Sequence, residues 1–427
     1  MSAAEAFLAA LPQSSIRLGL ERVAAACTAL GMPQGRYPAI LVAGTNGKGS
    51  TCAFLARALQ AAGLRVGLYT SPHLVSCRER IRVDGAPIAA ADLDAAVERL
   101  RAAYVPAREA GHPDALSYFE AMTVLAFDHF ARAGIDVAVL EVGLGGRLDA
   151  TNVPGTDLRA TVVTRLGLDH VEWLGPTLEA IAAEKAGIAR PDVPLISAPQ
   201  APAAAAVLRR EAGERGAPLV AVGSDVTLVP GADGLEYEGR SWRIEGISLG
   251  LRGGHQAENA AVALATLEAC GLPVDADAAR TGLREARWPG RIEVVAQAPV
   301  VVIDGAHNPD AAAALADGFV HLWPGIRPQL VFGVLADKER AAMMEPLLPL
   351  AEAVHLCTPA SSRSVPAAQL LPEAAGHARS VQAHGSVAAA LEAARHAAGP
   401  KGVVLVCGSL YLAGEVRRLL CGDEPAS

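Results

Sequence analysis

Aromatic residues are scarce in this 427-residue chain; phenylalanine, tryptophan and tyrosine together make up 4% of it. Hydrophobic residues still account for 51%, so its cores must rest on alanine, valine and leucine. Lysine is rarer than arginine: only four of the 37 basic residues are lysines, at positions 48, 185, 338 and 401. A lysine kept in so arginine-rich a chain points to chemistry that a guanidinium does not supply. There is no run of basic residues and the net charge is −8, which gives nucleic-acid binding no footing. No apolar stretch is long enough to cross a bilayer. The seven cysteines lack the paired spacing of a metal site and read as reduced thiols of a cytoplasmic protein. The opening MSAAEAFLAALPQ lacks the basic start of a signal peptide. At this length two domains are expected.

What is present centres on Tyr37–Thr51, YPAILVAGTNGKGST. An apolar run suited to a buried strand leads into a glycine-rich turn carrying Lys48, and an alanine- and leucine-rich helical segment follows. Strand, glycine turn with lysine, and helix form the layout of a phosphate cradle. Backbone N–H groups converge on phosphate oxygens, and the helix N-terminus adds its positive end. The spacing departs from the common pattern, which puts four residues between its glycines and a hydroxyl directly after the lysine. Here only Thr45 and Asn46 separate Gly44 from Gly47, and Gly49 separates Lys48 from Ser50. An ordinary glycine turn opening a helix is the plain alternative.

Further apolar runs read as strands at Arg65–Thr70, Asp136–Glu141 and Ala160–Thr164, alternating with helical stretches. That alternation predicts a parallel sheet covered on both faces, with ligand chemistry at the carboxyl ends of its strands. Thr177 is placed to cap a helix running to Ala189, with Pro191 beyond it. Asp225–Ile247 reads as a small antiparallel insertion. Trp288-Pro289-Gly290 reads as a linker, dividing the chain into 1–288 and 289–427. A second strand–helix series follows, with strands at Val300–Ile303, Gln329–Gly333, Ala353–Leu356 and Val403–Cys407.

Ser71, Glu141 and His170 fall at expected strand ends. A hydroxyl, a carboxylate and an imidazole suit one Mg²⁺, with phosphates and water completing its octahedron. Taken singly, each also reads as a turn residue, a helix cap and a loop histidine. Lys185 shares a helical face with Leu178, Ile181 and Ile188. A lysine there must find an anion, change its chemistry or snorkel to solvent. In VVIDGAHNPD, Asp304 ends a strand, His307 follows, and Asn308 is placed to cap the next helix with Pro309 at its first position. Arg291 lies just past the linker, where it either reaches phosphates or stays on the surface. Asn259 either bonds a base or lies on a helix face.

Together these stretches resemble the folylpolyglutamate synthases, combined in bacteria with dihydrofolate synthase, within the Mur ligase superfamily. The matching segments include GLERV (19–23), AGTNGKGST (43–51), YTSPHL (69–74), SYFEA (117–121), EVGLGGRLDATN (141–152), GLDH (167–170), EKAGI (184–188), HQAENA (255–260), WPGR (288–291), DGAHNP (304–309) and CGSLYLAGEVR (407–417). They span nearly the whole chain, and the unusual loop spacing is the normal form in that family. The resemblance implies a Mur-ligase-like P-loop ATPase domain followed by a smaller Rossmann-like α/β domain, with the active site between them. It places Gly47, Lys48, Gly49 and Ser50 on ATP phosphates, and Asn259, Arg291 and Asp304 on ATP. Ser71, Glu141 and His170 fall on magnesium positions, and Lys185 falls on a lysine whose carbamate would ligate a second Mg²⁺. His307 falls near the reacting phosphate. Gly19, Leu20, Glu21 and Arg22, with Ser117, Tyr118, Phe119 and Glu120, fall on positions that hold the pterin.

The implied reaction joins L-glutamate to dihydropteroate, or to tetrahydrofolate derivatives, in a cytoplasmic monomer. The rivals are a synthase that only extends folates, a Mur ligase acting on a nucleotide-linked sugar peptide, and a nucleotide-gated binding protein. The lack of a further domain ahead of the phosphate loop counts against the Mur ligase.

Overall fold

Strand β1 (Pro38–Ala43) carries an unbroken apolar run because both of its faces are covered. Ala39, Leu41 and Ala43 enter one hydrophobic core, while Ile40 and Val42 enter another. The computed structural model describes residues 3–12, 19–109, 116–422 and 425. β1 lies inside an eight-stranded sheet with β2 (Val66–Tyr69), β3 (Ile81–Val83), β4 (Ala86–Pro87), β5 (Val137–Glu141), β6 (Asp157–Val163), β7 (Leu195–Ser197) and β8 (Leu219–Ala221). The strand order is β4-β3-β2-β5-β1-β6-β7-β8. Helices Ala3–Ala10, Glu21–Ala29, Ala90–Glu109 and Tyr118–Ala133 cover one face. Helices Lys48–Ala61, His255–Ala269 and Ala276–Glu285 cover the other.

β9 (Thr227–Gly231), β10 (Gly234–Glu238) and β11 (Arg243–Ile247) form the small antiparallel sheet expected over 225–247. Tyr237 and Ile247 anchor it in the second of the two cores. Past Trp288–Gly290 a six-stranded sheet follows, built from β12 (Glu293–Gln297), β13 (Val300–Ile303), β14 (Gln329–Phe332), β15 (Ala353–Leu356), β16 (Val381–Ala383) and β17 (Val403–Cys407). Its order is β12-β13-β17-β14-β15-β16, and it too is apolar on both faces.

Two expectations need correction, and six strands went unread. The sheets are not wholly parallel: β3, β4 and β12 run antiparallel to their neighbours at the edges. The strands unread in the sequence (β3, β4, β7, β8, β12 and β16) are two to five residues long, too short for a period to declare itself. The helix capped by Thr177 stops at Ala186 rather than Ala189. At Gly187 the chain turns against Arg147, and a Cβ there would meet the Arg147 Cβ at 2.3 Å.

All seven cysteines are free thiols. Among the described residues, no helix is long and apolar enough to cross a membrane.

Candidate active site

β1 ends at Ala43, and the loop that follows needs glycine at two places. Gly44 has φ +147°, and Gly47, at the N-terminus of helix Lys48–Ala61, has φ +89°. A side chain at either position would be strained as well as blocked. A Cβ on Gly44 would lie 1.8 Å from Thr164 Oγ1, and one on Gly47 would lie 2.2 Å from Asn259 Oδ1. No side chain caps this helix, so its N-terminal end keeps its polarity for a ligand. Lys48 Nζ lies across the loop, donating to the carbonyls of Gly44 (3.1 Å) and Thr45 (3.2 Å).

The loop forms one wall of a cavity of about 950 Å³ between the two large sheets. Gly47, Lys48, Gly49, Ser50, Ser71, Glu141, His170, Lys185, Asn259, Arg291, Asp304 and His307 all line it. Strand ends explain the meeting. Ser71 follows β2, Glu141 closes β5 and His170 follows β6, and these strands run parallel in one sheet.

Glu141 is buried and its Oε2 accepts the Ser71 N–H at 2.9 Å. Burial raises its pKa against the opposing pull of the Lys48 charge. His170 adopts the left-handed region at φ +53°, ψ +37°, a conformation that marks strain for a residue with a side chain. Its N–H is held by Asp169 Oδ1 at 2.9 Å.

Lys185 is buried, and Nζ donates to the Gly44 carbonyl at 2.8 Å. Of the outcomes left open for it, Lys185 finds neither an anion nor solvent; its partner is a neutral oxygen. Burial, and after it the Lys48 charge, bring its pKa down to about 7. A lowered pKa raises the share of the neutral amine and so reduces the cost of a bare buried charge.

The second sheet supplies the opposite wall. Asp304 does not project a free carboxylate; it accepts the N–H groups of Ile292 (2.9 Å) and Ala306 (2.8 Å), fixing the turns on either side of Arg291 and His307. His307 Nδ1 sits 2.8 Å from the Gly305 carbonyl, so Nδ1 bears the proton and Nε2 is an acceptor. Burial holds its pKa down near 4. Asn308 caps helix Pro309–Leu322 through Oδ1 to Ala311 N–H at 2.9 Å. Asn259 bonds Gln256 through Nδ2 (3.0 Å) while its Oδ1 crowds Gly47.

Several contacts here went unread in the sequence. Lys338 Nζ pairs with Asp169 Oδ1 at 2.8 Å, tying the second sheet to the loop that carries His170. Asn308 Nδ2 donates to Asn46 Oδ1 of the phosphate loop at 3.0 Å. Trp288 lays its indole where a side chain on Gly49 would go. The sequence reads Asn308 as a helix cap, Trp288 as part of the linker and Lys338 as a rare lysine, but it announces none of these contacts.

The eight pterin candidates do not line the cavity. Ser117 and Glu120 form a capping box on helix Tyr118–Ala133, and Glu120 pairs with Arg22 at 2.8 Å. Tyr118 lies under the Arg80 guanidinium, and Phe119 packs against Tyr69 and the backbone of Gly143. Gly19, at φ +133°, and Leu20 lead into helix Glu21–Ala29, where Glu21 is exposed.

Divalent-ion chemistry fits these residues. Ser71, Glu141 and His170 offer a hydroxyl, a carboxylate and an imidazole on one cavity wall, a donor set suited to Mg²⁺ or Mn²⁺. Among the described residues, no cluster of three or more His, Cys, Asp or Glu side chains is grouped to hold an ion unaided. An ion bound there would need further ligands from outside the chain, of the kind phosphate oxygens and water provide.

Comparison with known proteins gives two family matches: the Mur ligase middle domain over residues 42–267, and the Mur ligase glutamate ligase domain over 290–410. The chain is 38% identical to the dihydrofolate synthase/folylpolyglutamate synthase of Escherichia coli, over 97% of this chain and 94% of that protein. It is also 38% identical to a probable bifunctional folylpolyglutamate synthase/dihydropteroate synthase of Haloferax volcanii, over 96% of this chain; here it spans about half of the relative, 49% of its length. E. coli FolC in complex with DHPP and ADP superposes with a TM-score of 0.88 at 36% identity, covering 98% of this chain and 97% of that one. The Yersinia pestis bifunctional enzyme complexed with AMPPNP and Mn ion gives 0.87 at 33% identity, covering 98% of each.

Proposed function

The chain belongs to the dihydrofolate synthase/folylpolyglutamate synthase family of Mur ligases, and from that premise we propose that it uses ATP to join L-glutamate to dihydropteroate and to reduced folates. Assembly of twelve nucleotide, metal and catalytic candidates around one cavity between two sheets is the observation that carries this reading. The working division is an ATP-binding unit over 1–288 and a glutamate-ligase unit over 289–427.

A carboxylate resists attack by an amine because its charge repels the nucleophile and its oxygen leaves poorly. Phosphorylation by ATP removes both obstacles. The loop amides from Gly47 to Ser50 cradle the phosphates, and Lys48 Nζ exchanges its two carbonyl partners for phosphate oxygens. Arg291, beside the Ile292 N–H that Asp304 holds, reaches the phosphates from the second unit, and Asn259 holds the nucleotide. Divalent ions held by Ser71, Glu141, His170 and a carbamate on Lys185 would neutralise charge on the transferred phosphoryl group. The low pKa of Lys185 supports the carbamate, because only a neutral amine adds CO₂.

The acyl phosphate then accepts the amine of glutamate, giving an amide, ADP and phosphate. His307 Nε2 orients the amine as a hydrogen-bond acceptor; with a pKa near 4 it carries no charge at neutral pH. Contact between the two units keeps water from the intermediate. The acceptor's pterin lies against Gly19–Arg22 and Ser117–Glu120. A cytoplasmic monomer is the proposed setting.

Phosphate release and amide formation, measured with dihydropteroate and with a reduced folate separately, test the proposal. Glutamate-dependent amide formation with both acceptors is expected. ATP hydrolysis with no amide from either would overturn it.

A further inference from the structure

Among the described residues, Arg80 is a buried cation with no carboxylate at ion-pairing distance. It closes the turn Cys77–Arg80 just before β3 and is 8% exposed. Among the described residues its side chain makes one hydrogen bond, from Nε to His73 Nδ1 at 3.0 Å. The guanidinium carbon lies 5.2 Å from the Tyr118 ring centroid. No carboxylate of the described residues lies within ion-pairing distance, whereas the similarly enclosed Arg22 has Glu120 at 2.8 Å. A histidine nitrogen and a ring face do not repay the desolvation of a guanidinium, and its two terminal nitrogens still offer a fork that fits a carboxylate. The missing partner is therefore sought outside the chain.

Its place in the fold narrows the choice. Tyr118 belongs to the segment Ser117–Glu120 assigned above to the pterin. His73 belongs to the loop that starts at Ser71, on the cavity wall. The Arg80 charge also reaches Glu141 at the end of β5. Arg80 thus touches the pterin segment through Tyr118 and the loop from Ser71 through His73, just outside the lining of the phosphate cavity. The two acceptor classes differ in what lies between pterin and phosphate. Dihydropteroate has one carboxylate, and that group must be at the phosphate to react. A glutamylated folate has a second, non-reacting α-carboxylate between its benzoyl ring and the reacting end.

We propose that Arg80 binds the non-reacting α-carboxylate of a glutamylated folate and so favours chain extension over first-glutamate addition. The proposal rests on the ligase reading above.

The test compares kcat/KM for a reduced folate and for dihydropteroate in the wild type, Arg80→Met and Arg80→Lys, with melting temperatures alongside. Methionine keeps an unbranched stem over Tyr118 without the charge. The folate-to-dihydropteroate ratio of kcat/KM is expected to fall at least tenfold in Arg80→Met and by less in Arg80→Lys. A folate whose α-carboxylate is converted to an amide should be a poor acceptor for the wild type, and Arg80→Met should cause it no further loss. An unchanged ratio, including an equal loss on both acceptors, overturns the proposal, as does a full further loss with the amide. Failure of the wild type to form amide from either acceptor would instead overturn the ligase reading.

Discussion

Lys185 shows how a single side chain departs from its ordinary behaviour when burial and a like charge act together. With a pKa near 7 in place of 10.5, its neutral fraction rises through neutral pH, and the neutral amine is the form that takes up CO₂. In ¹³C-bicarbonate a carbamate resonance is expected to grow as the pH passes through 7 and to be missing from Lys185→Ala. A resonance growing only near the ordinary lysine pKa would contradict this. Lys185→Ala is also expected to lose activity and to regain part of it in short carboxylic acids, which stand in for the carbamate; full activity in plain buffer would count against the role. Lys48→Ala should reduce ligation below detection and leave the far-UV spectrum and melting curve close to wild type, since Nζ bonds only loop carbonyls. The sequence placed Lys185 on an inner helical face correctly, because spacing along one helix is local information. It did not show that the partner is the Gly44 carbonyl, 141 residues away.

At the scale of elements, the phosphate loop was legible because strand, glycines and helix are contiguous. Gly47→Ala forces a side chain into a left-handed turn and onto Asn259. It should weaken ATP binding at least tenfold by calorimetry while the chain still folds. The helix beginning at Pro309 was equally legible, since its cap and first-turn proline are neighbours. Asn308→Ala removes that cap and is expected to cost about 1 kcal/mol in urea denaturation; no change in the midpoint would show that the cap carries no weight. The end of helix Leu178–Ala186 was misread because the chain goes on as a tighter turn, with Ile188 and Ala189 N–H bonding Lys185 and Ala186 carbonyls, and helical spacing does not tell the two apart. The short edge strands were unreadable for another reason. Two to five residues carry almost no periodic signal, and pairing with neighbours defines them.

At the scale of the whole molecule, the two large sheets meet across the cavity through polar bonds that no local pattern announces. Lys338–Asp169 and Asn308–Asn46 join residues 169 and 262 positions apart. Both end on loops of the first sheet that carry the phosphate and metal candidates. Lys338→Ala is expected to loosen this closure, so that phosphate released per amide formed rises above one as water reaches the acyl phosphate. A ratio that stays at one would assign Lys338 to another task. The central claim is that ATP activates the acceptor's own carboxylate, and oxygen transfer tests it most directly. Dihydropteroate labelled with ¹⁸O in both carboxylate oxygens is incubated with ATP, Mg²⁺ and L-glutamate, and the phosphate is analysed by mass spectrometry. One ¹⁸O in the phosphate for each dihydrofolate formed is predicted, because the acyl phosphate passes one carboxylate oxygen to the leaving group. Unlabelled phosphate accompanying amide formation would contradict the account.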